Sequence, residues 1–411
     1  MATRRVLWVV NQAYWPDVAA TGQLLADLAE DAARRGWDVR VVTSREPYAS
    51  PTATPYARRE TRRGVRIVRL AGPALGRGLA GRALGYAWFL VAAGWTLLRV
   101  RRGHVVLALS TPPFIALLGL WAKRRGARFV YKVEDLYPDV AVALGVVRPG
   151  LLQRILARVS ALLLRRADAV VVLDDAMGET VARLRGHGER LEVIANWADG
   201  EAVQPVPAST SRTRARLGLP DGTVLLVYAG NFGRAHAFDA LLEALGQAER
   251  ETLPIAALFS GGGAQATVVK QGAAKLATVT VQGYVPREDL GDVLAAADVH
   301  VITLKPEVDG LLAPSKLAGA LAAGRPVLAI AREGGALARE VEAGQLGWTA
   351  APEPASVLAA LRAVVAERHQ LGAWGERARA WFEARYDRAT QCERWCALLA
   401  RVQASGVGVA S

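Results

Sequence analysis

The segment Val227–Asp239, VYAGNFGRAHAFD, decides how this chain folds. It reads as the end of a buried strand, a glycine loop and the start of a helix. Gly230 and Gly233 let the backbone turn tightly and approach a ligand closely. Arg234 and His236 set cationic or hydrogen-bonding groups beside that turn. A helix start with nearby cations suits a phosphate group. The same chemistry returns at Ala313–Ala329, APSKLAGALAAGRPVLA, where Pro314 and Ser315 open a small-residue helix with Lys316 and Leu317 in its first turn. Two phosphate-suited helix starts in one half of a chain point to one diphosphate held between them. Each segment alone also fits a plain strand–loop–helix connection.

Outward from this segment, short β-branched runs alternate with longer amphipathic ones. Strands are expected at Val6–Val10, Val39–Thr43, Val65–Leu70, Val105–Leu109, Phe129–Val133, Ala169–Leu173 and Leu191–Ile194. A second series follows at Val224–Tyr228, Ala256–Ser260, Val279–Gln282, Val299–Thr303 and Val327–Ile330. Helical patterns between them, such as Gly22–Arg35, argue for parallel sheets covered by helices on both faces. Residues 199–212 are rich in Pro, Ser and Thr and read as a linker. The expected organisation is an N-terminal domain over 1–198, a linker over 199–212, a second domain over 213–385, and a helix and tail over 386–411. In such sheets, ligands bind at the C-terminal ends of the strands.

The length of 411 residues is comfortable for two domains, and the net charge of +13 favours an anionic partner: a nucleotide, a membrane surface or a nucleic acid. GC-rich coding accounts equally for an Arg-heavy composition. Cys392 and Cys396 share a helix face with no metal-ligand spacing around them, and read as reduced packing residues in a reducing cytosol. No signal peptide is expected, because the chain leads straight into VLWVVN. Ala83–Leu98 is uncharged between Arg82 and Arg99 but falls short of the ~20 residues that span a bilayer. Trp88, Phe89 and Trp95 make it either a membrane-touching surface or a buried helix. Val105–Ala122 is broken by Ser110-Thr111-Pro112-Pro113 into a strand and a helix.

Eight motifs in order then resemble family 4 of the glycosyltransferases, and more narrowly its bacterial polysaccharide branch. They are NQAYWPDVAATG within Asn11–Ser44, STPPF at Ser110–Phe114, VEDLYPD at Val133–Asp139, VIANWAD at Val193–Asp199, YAGNFGRAHAFDALLEA at Tyr228–Ala244, SGGG at Ser260–Gly263, VQGYVPREDLGDVLAAADV at Val281–Val299, and APSKLAGALAAGRPV at Ala313–Val327. The resemblance implies the GT-B fold: two Rossmann-like α/β domains facing across a cleft, with the last helix returning to the first domain. It implies a retaining, metal-independent transfer of a hexosyl or N-acetylhexosaminyl group, with no cofactor beyond the donor, a UDP-sugar being favoured. No DxD pair, the usual divalent-metal signal, closes a strand here.

By resemblance the donor diphosphate meets Thr21, Gly22, Gly230, Asn231, Phe232, Gly233, Arg234, His236, Ser315, Lys316 and Leu317. The nucleoside meets Gly262, Tyr284, Val285, Glu307 and Asp309, and the acceptor meets Tyr14 and Asp17. Glu134 and Asp135 stand where many relatives have a His-Asp pair, and are the expected catalytic carboxylates. They would orient the acceptor hydroxyl or stabilise oxocarbenium charge; Asp135 equally suits a turn cap. The wider family's glutamate pair is replaced by Leu311 and Gly319, leaving Glu307 and Asp309 as the nearest carboxylates for the ribose. Its loop Arg and Lys are replaced by Asn231 and His236, leaving Arg234 and Lys316 as the cations. Tyr284 is equally a core aromatic.

The expected partners are a nucleotide sugar, a saccharide or lipid-linked acceptor, and an anionic membrane surface. The expected location is the cytoplasm, peripheral on the inner face of the plasma membrane. A soluble natural-product or protein acceptor and a non-catalytic sugar-nucleotide binder are the competing readings. Nucleic-acid binding is not expected, since the arginines are dispersed and no helix-turn-helix, zinc or RNP-like pattern is present.

Overall fold

The computed structural model describes residues 5–17, 19–46, 54–72, 79–187 and 189–405, with backbone only at 79, 80, 82, 83 and 287. The chain divides into two compact units: Met1–Ile194 together with Gln391–Ser411, and Ala195–Thr390.

Unit 1 contains β1 (Val6–Val10), β2 (Asp38–Ser44), β3 (Arg59–Arg62), β4 (Val65–Leu70), β5 (Val105–Leu109), β6 (Arg128–Lys132), β7 (Ala169–Val172) and β8 (Leu191–Val193). They form one sheet in the order β3-β4-β2-β1-β5-β6-β7-β8, parallel except for β3 against β4. The central strands are apolar throughout because helices cover both faces; Leu7, Val9, Leu107, Val130 and Val171 are fully buried. Unit 2 contains β9 (Val224–Asn231), β10 (Ile255–Gly262), β11 (Val279–Gln282), β12 (Val299–Thr303), β13 (Val327–Ile330) and β14 (Gly347–Ala350), all parallel in the order β11-β10-β9-β12-β13-β14. Both units are doubly wound. The direction of winding reverses between β1 and β5 in unit 1 and between β9 and β12 in unit 2. Those are the points where such sheets accept ligands.

Three elements differ from the sequence reading. β3, RETR, is a charged antiparallel edge strand, so no apolar alternation marked it. β14 is only four residues long. The stretch expected to be a linker is tied to unit 2. Arg379 donates to the carbonyls of Gly200 and Val203, Arg388 pairs with Asp199, and a helix starts at Arg212 under a Ser211 cap.

The last helix, Arg388–Ala404, groups with unit 1 from Gln391 onward, as expected of the returning helix. Arg394 donates to the Val193 carbonyl and Arg401 pairs with Glu192. Cys392 and Cys396 are buried thiols there, and burial pushes the Cys396 thiol up to about 12. Both act in packing.

Candidate functional site

The C-terminal ends of β9 and β12 carry the densest chemistry in unit 2. At Gly230 φ is 130°, and a Cβ there would lie 3.1 Å from Cε of Lys316. The lysine stem therefore runs across the end of β9 where a bare backbone makes room. Its Nζ lies 3.1 Å from Nε2 of His236 and 4.9 Å from the centroid of the Tyr228 ring. On its other side His236 places Nδ1 2.5 Å from the Thr303 carbonyl, at the end of β12. That carbonyl can only accept, so Nδ1 carries the proton and Nε2 presents a lone pair to the ammonium.

Burial, and then the Lys316 charge, hold His236 down to about 4; burial holds Lys316 down to about 7. Among the described residues no carboxylate pairs with Lys316 or Arg234. The amides of Gly233, Arg234 and Ala235 likewise have no hydrogen-bond partner there. Cations without a carboxylate partner and free loop amides are the chemistry that an anion site requires.

Several expected donor residues have other duties. Phe232 is fully buried against Tyr228, Phe238 and Phe259, its N–H donates to Gly262 and its carbonyl accepts from Gln265, so it is a core residue. His236 is neutral with both nitrogens engaged, which corrects its reading as a cation or a phosphate donor. Leu317 is buried, and the helix it opens ends at Ala322 after six residues. So short a helix has little dipole, and the anion-attracting element of this segment is the Lys316 ammonium. Ser315 and Arg234 are exposed, and Asn231 and Gly233 border the loop.

On the nucleoside side, Tyr284 is 65% exposed, which removes the core alternative. Its hydroxyl donates to the Gly262 carbonyl, and its ring lies across Gly262 at 3.2 Å from where a Cβ would sit. Val285 packs against the hydrophobic cluster under β9 and β10. Asp309 is committed elsewhere: it accepts from the Ala336 amide at a helix start and pairs with Arg332. Glu307 is exposed on the turn Pro306–Val308 and is the carboxylate left for a ribose.

In unit 1 the ends of β5 and β6 hold the two expected catalytic carboxylates, and the structure separates them. Glu134 pairs with the buried ammonium of Lys132, so its charge is spent on neutralising that lysine. Among the described residues Asp135 has no cation beside it. It accepts from Thr111 Oγ1 at 3.2 Å, and the Glu134 and Asp135 amides both donate to Ser110 Oγ. Burial, reinforced by the Glu134 charge, raises Asp135 to about 6.

Thr21 and Gly22 lie in the first turn of the helix Ala20–Arg34, not in a loop. A Cβ on Gly22 would meet the backbone of Ala13 and Tyr14 at 3.1 Å, so close packing explains this glycine. Tyr14 and Asp17, expected at the acceptor, are buried. Asp17 accepts from the Ala19 amide just ahead of the helix, and burial pushes the Tyr14 phenol well above its usual range.

Two family models match the chain: the glycosyl transferase 4-like domain over residues 20–197 and glycosyl transferases group 1 over residues 223–367. The chain is a family 4 glycosyltransferase. WbjE of Pseudomonas aeruginosa, named as a glycosyltransferase, is 29% identical to it over 269 residues, covering 64% of this chain and 66% of that protein. WcaI of Escherichia coli K12, named for colanic acid biosynthesis, is 26% identical over 330 residues, covering 76% and 79%.

Among solved structures, sucrose-phosphate synthase of Thermosynechococcus elongatus superposes on the transferase with a TM-score of 0.78 at 20% identity, covering 98% of this chain and all of that one. HepE of Anabaena, solved with UDP and glucose, gives 0.72 at 18% identity, covering 97% and 99%. WaaG, involved in lipopolysaccharide biosynthesis, gives 0.65 at 19% identity, covering 96% and 99%. These likenesses establish the GT-B fold.

Three residues around the transferase's candidate anion site were not anticipated from the sequence. Tyr228 puts its ring face under the Lys316 ammonium, Thr303 fixes the His236 tautomer, and Gln265 Nε2 donates to the carbonyls of Gly233 and His236. Tyr228, two residues before Gly230, was a readable clue. Thr303 and Gln265 carry no local signal, since each acts across strands.

Proposed function

We propose that this chain is a retaining, metal-independent glycosyltransferase. It moves a hexosyl or N-acetylhexosaminyl group from a UDP-sugar to a lipid-linked saccharide during cell-surface polysaccharide assembly. The observation that carries this reading is the Lys316 ammonium at the β9–β12 switch point, with no carboxylate partner among the described residues and with free amides on the neighbouring loop. A diphosphate leaving group needs such fixed positive charge when no metal supplies it. HepE, solved with UDP and with UDP-glucose, supports a nucleotide-sugar donor, and WcaI, named for colanic acid biosynthesis, supports a polysaccharide product. In this reading Lys316, Arg234 and the loop amides hold the diphosphate. Tyr284 and Glu307 meet the nucleoside, and Asp135 orients the acceptor hydroxyl or stabilises oxocarbenium charge.

Thermal-shift screening against UDP-, GDP-, dTDP- and ADP-sugars tests the donor, since a bound donor raises the melting temperature by mass action. The largest shift is expected with a UDP-sugar. Transfer from that donor is expected to be unchanged by EDTA; activity that disappears with EDTA and returns with Mg²⁺ would reject metal independence. Leu311 and Gly319, in place of the family's glutamates, favour a second reading, a non-catalytic sugar-nucleotide binder. Donor binding with no turnover on any acceptor would establish that one instead.

The proposed acceptor lies at a membrane, and one face of unit 1 supports this. Among the described residues no helix is long and apolar enough to cross a bilayer. The helix Leu79–Thr96 is apolar on two faces. Phe89 and Ala93 are buried with Trp8, Val106 and Leu118, so Phe89 belongs to the core and not to a membrane face. Leu84, Trp88, Val91 and Trp95 recur at helical spacing on the other face and are 50–69% exposed. The helix Leu117–Arg124 packs against it and against the helix Leu151–Arg166, adding Trp121, Leu151, Leu152 and Ile155 to the exposed set.

Between Ala83 and Lys132 there is no acid, while Arg99, Arg101, Arg102 and Arg124 are exposed around these helices. A patch of this kind fits an anionic headgroup layer. Arg77 and the side chain of Arg82, which belongs to the helix Leu79–Thr96, lie outside the described residues. The protein is expected to pellet with anionic liposomes at low salt and less at high salt. Arg99, Arg101 and Arg102 together changed to Ala should lose on the order of 1 kcal/mol of attraction per residue. Recovery of wild type in the supernatant at low salt would favour a soluble acceptor.

A further inference from the structure

We propose that His236 is the positioning residue for Lys316: a neutral imidazole, fixed by the Thr303 carbonyl, aims the ammonium at the donor without cancelling its charge. This rests on the reading of Lys316 as a diphosphate contact. In the wider family the lysine of this loop sits at the sequence position of His236, whereas here the cation arrives from a segment 80 residues further along. A lysine has a flexible stem and a mobile point charge, so its direction must be set by something else.

Three contacts set it. Gly230 makes room for the stem, the Tyr228 face lies 4.9 Å from Nζ, and His236 Nε2 lies 3.1 Å from it. Only the last accepts a hydrogen bond along one direction. Its own direction is rigid: Nδ1 donates to Thr303 O at 2.5 Å, and the ring meets Tyr228 edge-on at 5.6 Å and 80°. A carboxylate in this place would orient the lysine equally well but would satisfy its charge and weaken its pull on a phosphate. A neutral acceptor separates the two effects.

The titratable and charged groups around the ammonium bear this out. The β9 segment and its loop contribute Tyr228, His236 and the exposed Arg234; β12 contributes the Thr303 carbonyl; Tyr284, following β11, acts on Tyr228. No anion is among them.

The test uses the full chain with Cε-labelled lysine, since Lys316 has only Lys123, Lys132, Lys270, Lys275 and Lys305 for company. Carbon NMR of the protein without ligand should show one lysine titrating near neutrality that is absent in Lys316→Met. In His236→Phe, which keeps the aromatic packing, that midpoint should fall further because the ammonium has lost its acceptor. UDP-glucose should then bind about ten-fold more weakly, and its affinity should begin to decline at lower pH than in wild type. His236→Gln, which keeps a polar acceptor, should recover part of both and decides the matter if the Phe variant does not fold.

An unchanged Lys316 titration and unchanged UDP-glucose affinity in the variant would overturn the positioning role. Failure of wild type to bind UDP-glucose would instead overturn its use as donor, and the ligand-free titration would still decide what His236 does to Lys316.

Discussion

Asp135→Asn is expected to lower kcat by about 10²- to 10⁴-fold, the usual range for a positioned acid–base group, with KM for the donor little changed. Asp135 keeps one contact from Thr111 Oγ1, which an amide oxygen can also accept, so the fold should survive the change. What is lost is a carboxylate raised to about 6 by burial and by Glu134, a group balanced between proton acceptor and charge stabiliser near neutral pH. The melting temperature should hold or rise, because a half-buried carboxylate with no cation beside it among the described residues opposes folding above its raised pKa. In the folded state Asp135 binds a proton more tightly than in the unfolded chain. Its burden on stability is therefore absent below the unfolded pKa and grows as the pH rises toward about 6. Initial rates of transfer, read together with a thermal melt, check this. A variant with wild-type kcat would reassign Asp135 to the turn that follows β6.

Lys316→Ala is expected to weaken donor binding by about 1–3 kcal/mol, roughly 5- to 150-fold, the scale of one charge-assisted contact. Burial holds Lys316 down to about 7, so in the free enzyme its protonated fraction falls as the pH rises through that value. A UDP-sugar diphosphate does not titrate in this range. Donor affinity should therefore be flat below about pH 7 and decline above it, and the Ala variant should lose the decline along with the affinity. Asp135 must be ionised and Lys316 protonated. Hence kcat/KM should rise through about 6 and fall through about 7. Asp135→Asn should remove the first limb and Lys316→Ala the second. Titration calorimetry with UDP-glucose and a pH series of initial rates measure both. Unchanged affinity in Lys316→Ala would remove this lysine from the donor site.

The roles of these residues were legible to different depths. Lys316 and Asp135 were visible as charged residues at strand and helix ends, in motifs whose order carried the family. Glu134 looked equivalent to Asp135 until the buried Lys132 ammonium appeared beside it. Asp309 looked equivalent to Glu307 until its oxygens were seen to hold Ala336 and Arg332. Tyr284 could have been core or surface, and its exposure depended on what the end of β10 left uncovered. Neighbours in sequence share a local pattern, but the partner that claims a charge comes from another strand.

The returning last helix was implied by the family resemblance; by itself the sequence determined the two α/β units, most of their strands and the glycine-lined end of β9. These follow from short-range effects: apolar runs that must be buried, and glycines that permit a close backbone. The tertiary structure alone decided which groups stay free to act. Lys316 meets His236 across 80 residues of chain, and Thr303 fixes that histidine from another strand. Phe89 turns inward while Trp88 turns outward on the same helix. Burial and pairing are properties of the packed chain. They set the protonation of Lys316, His236 and Asp135 through desolvation and neighbouring charge, which no run of residues encodes locally.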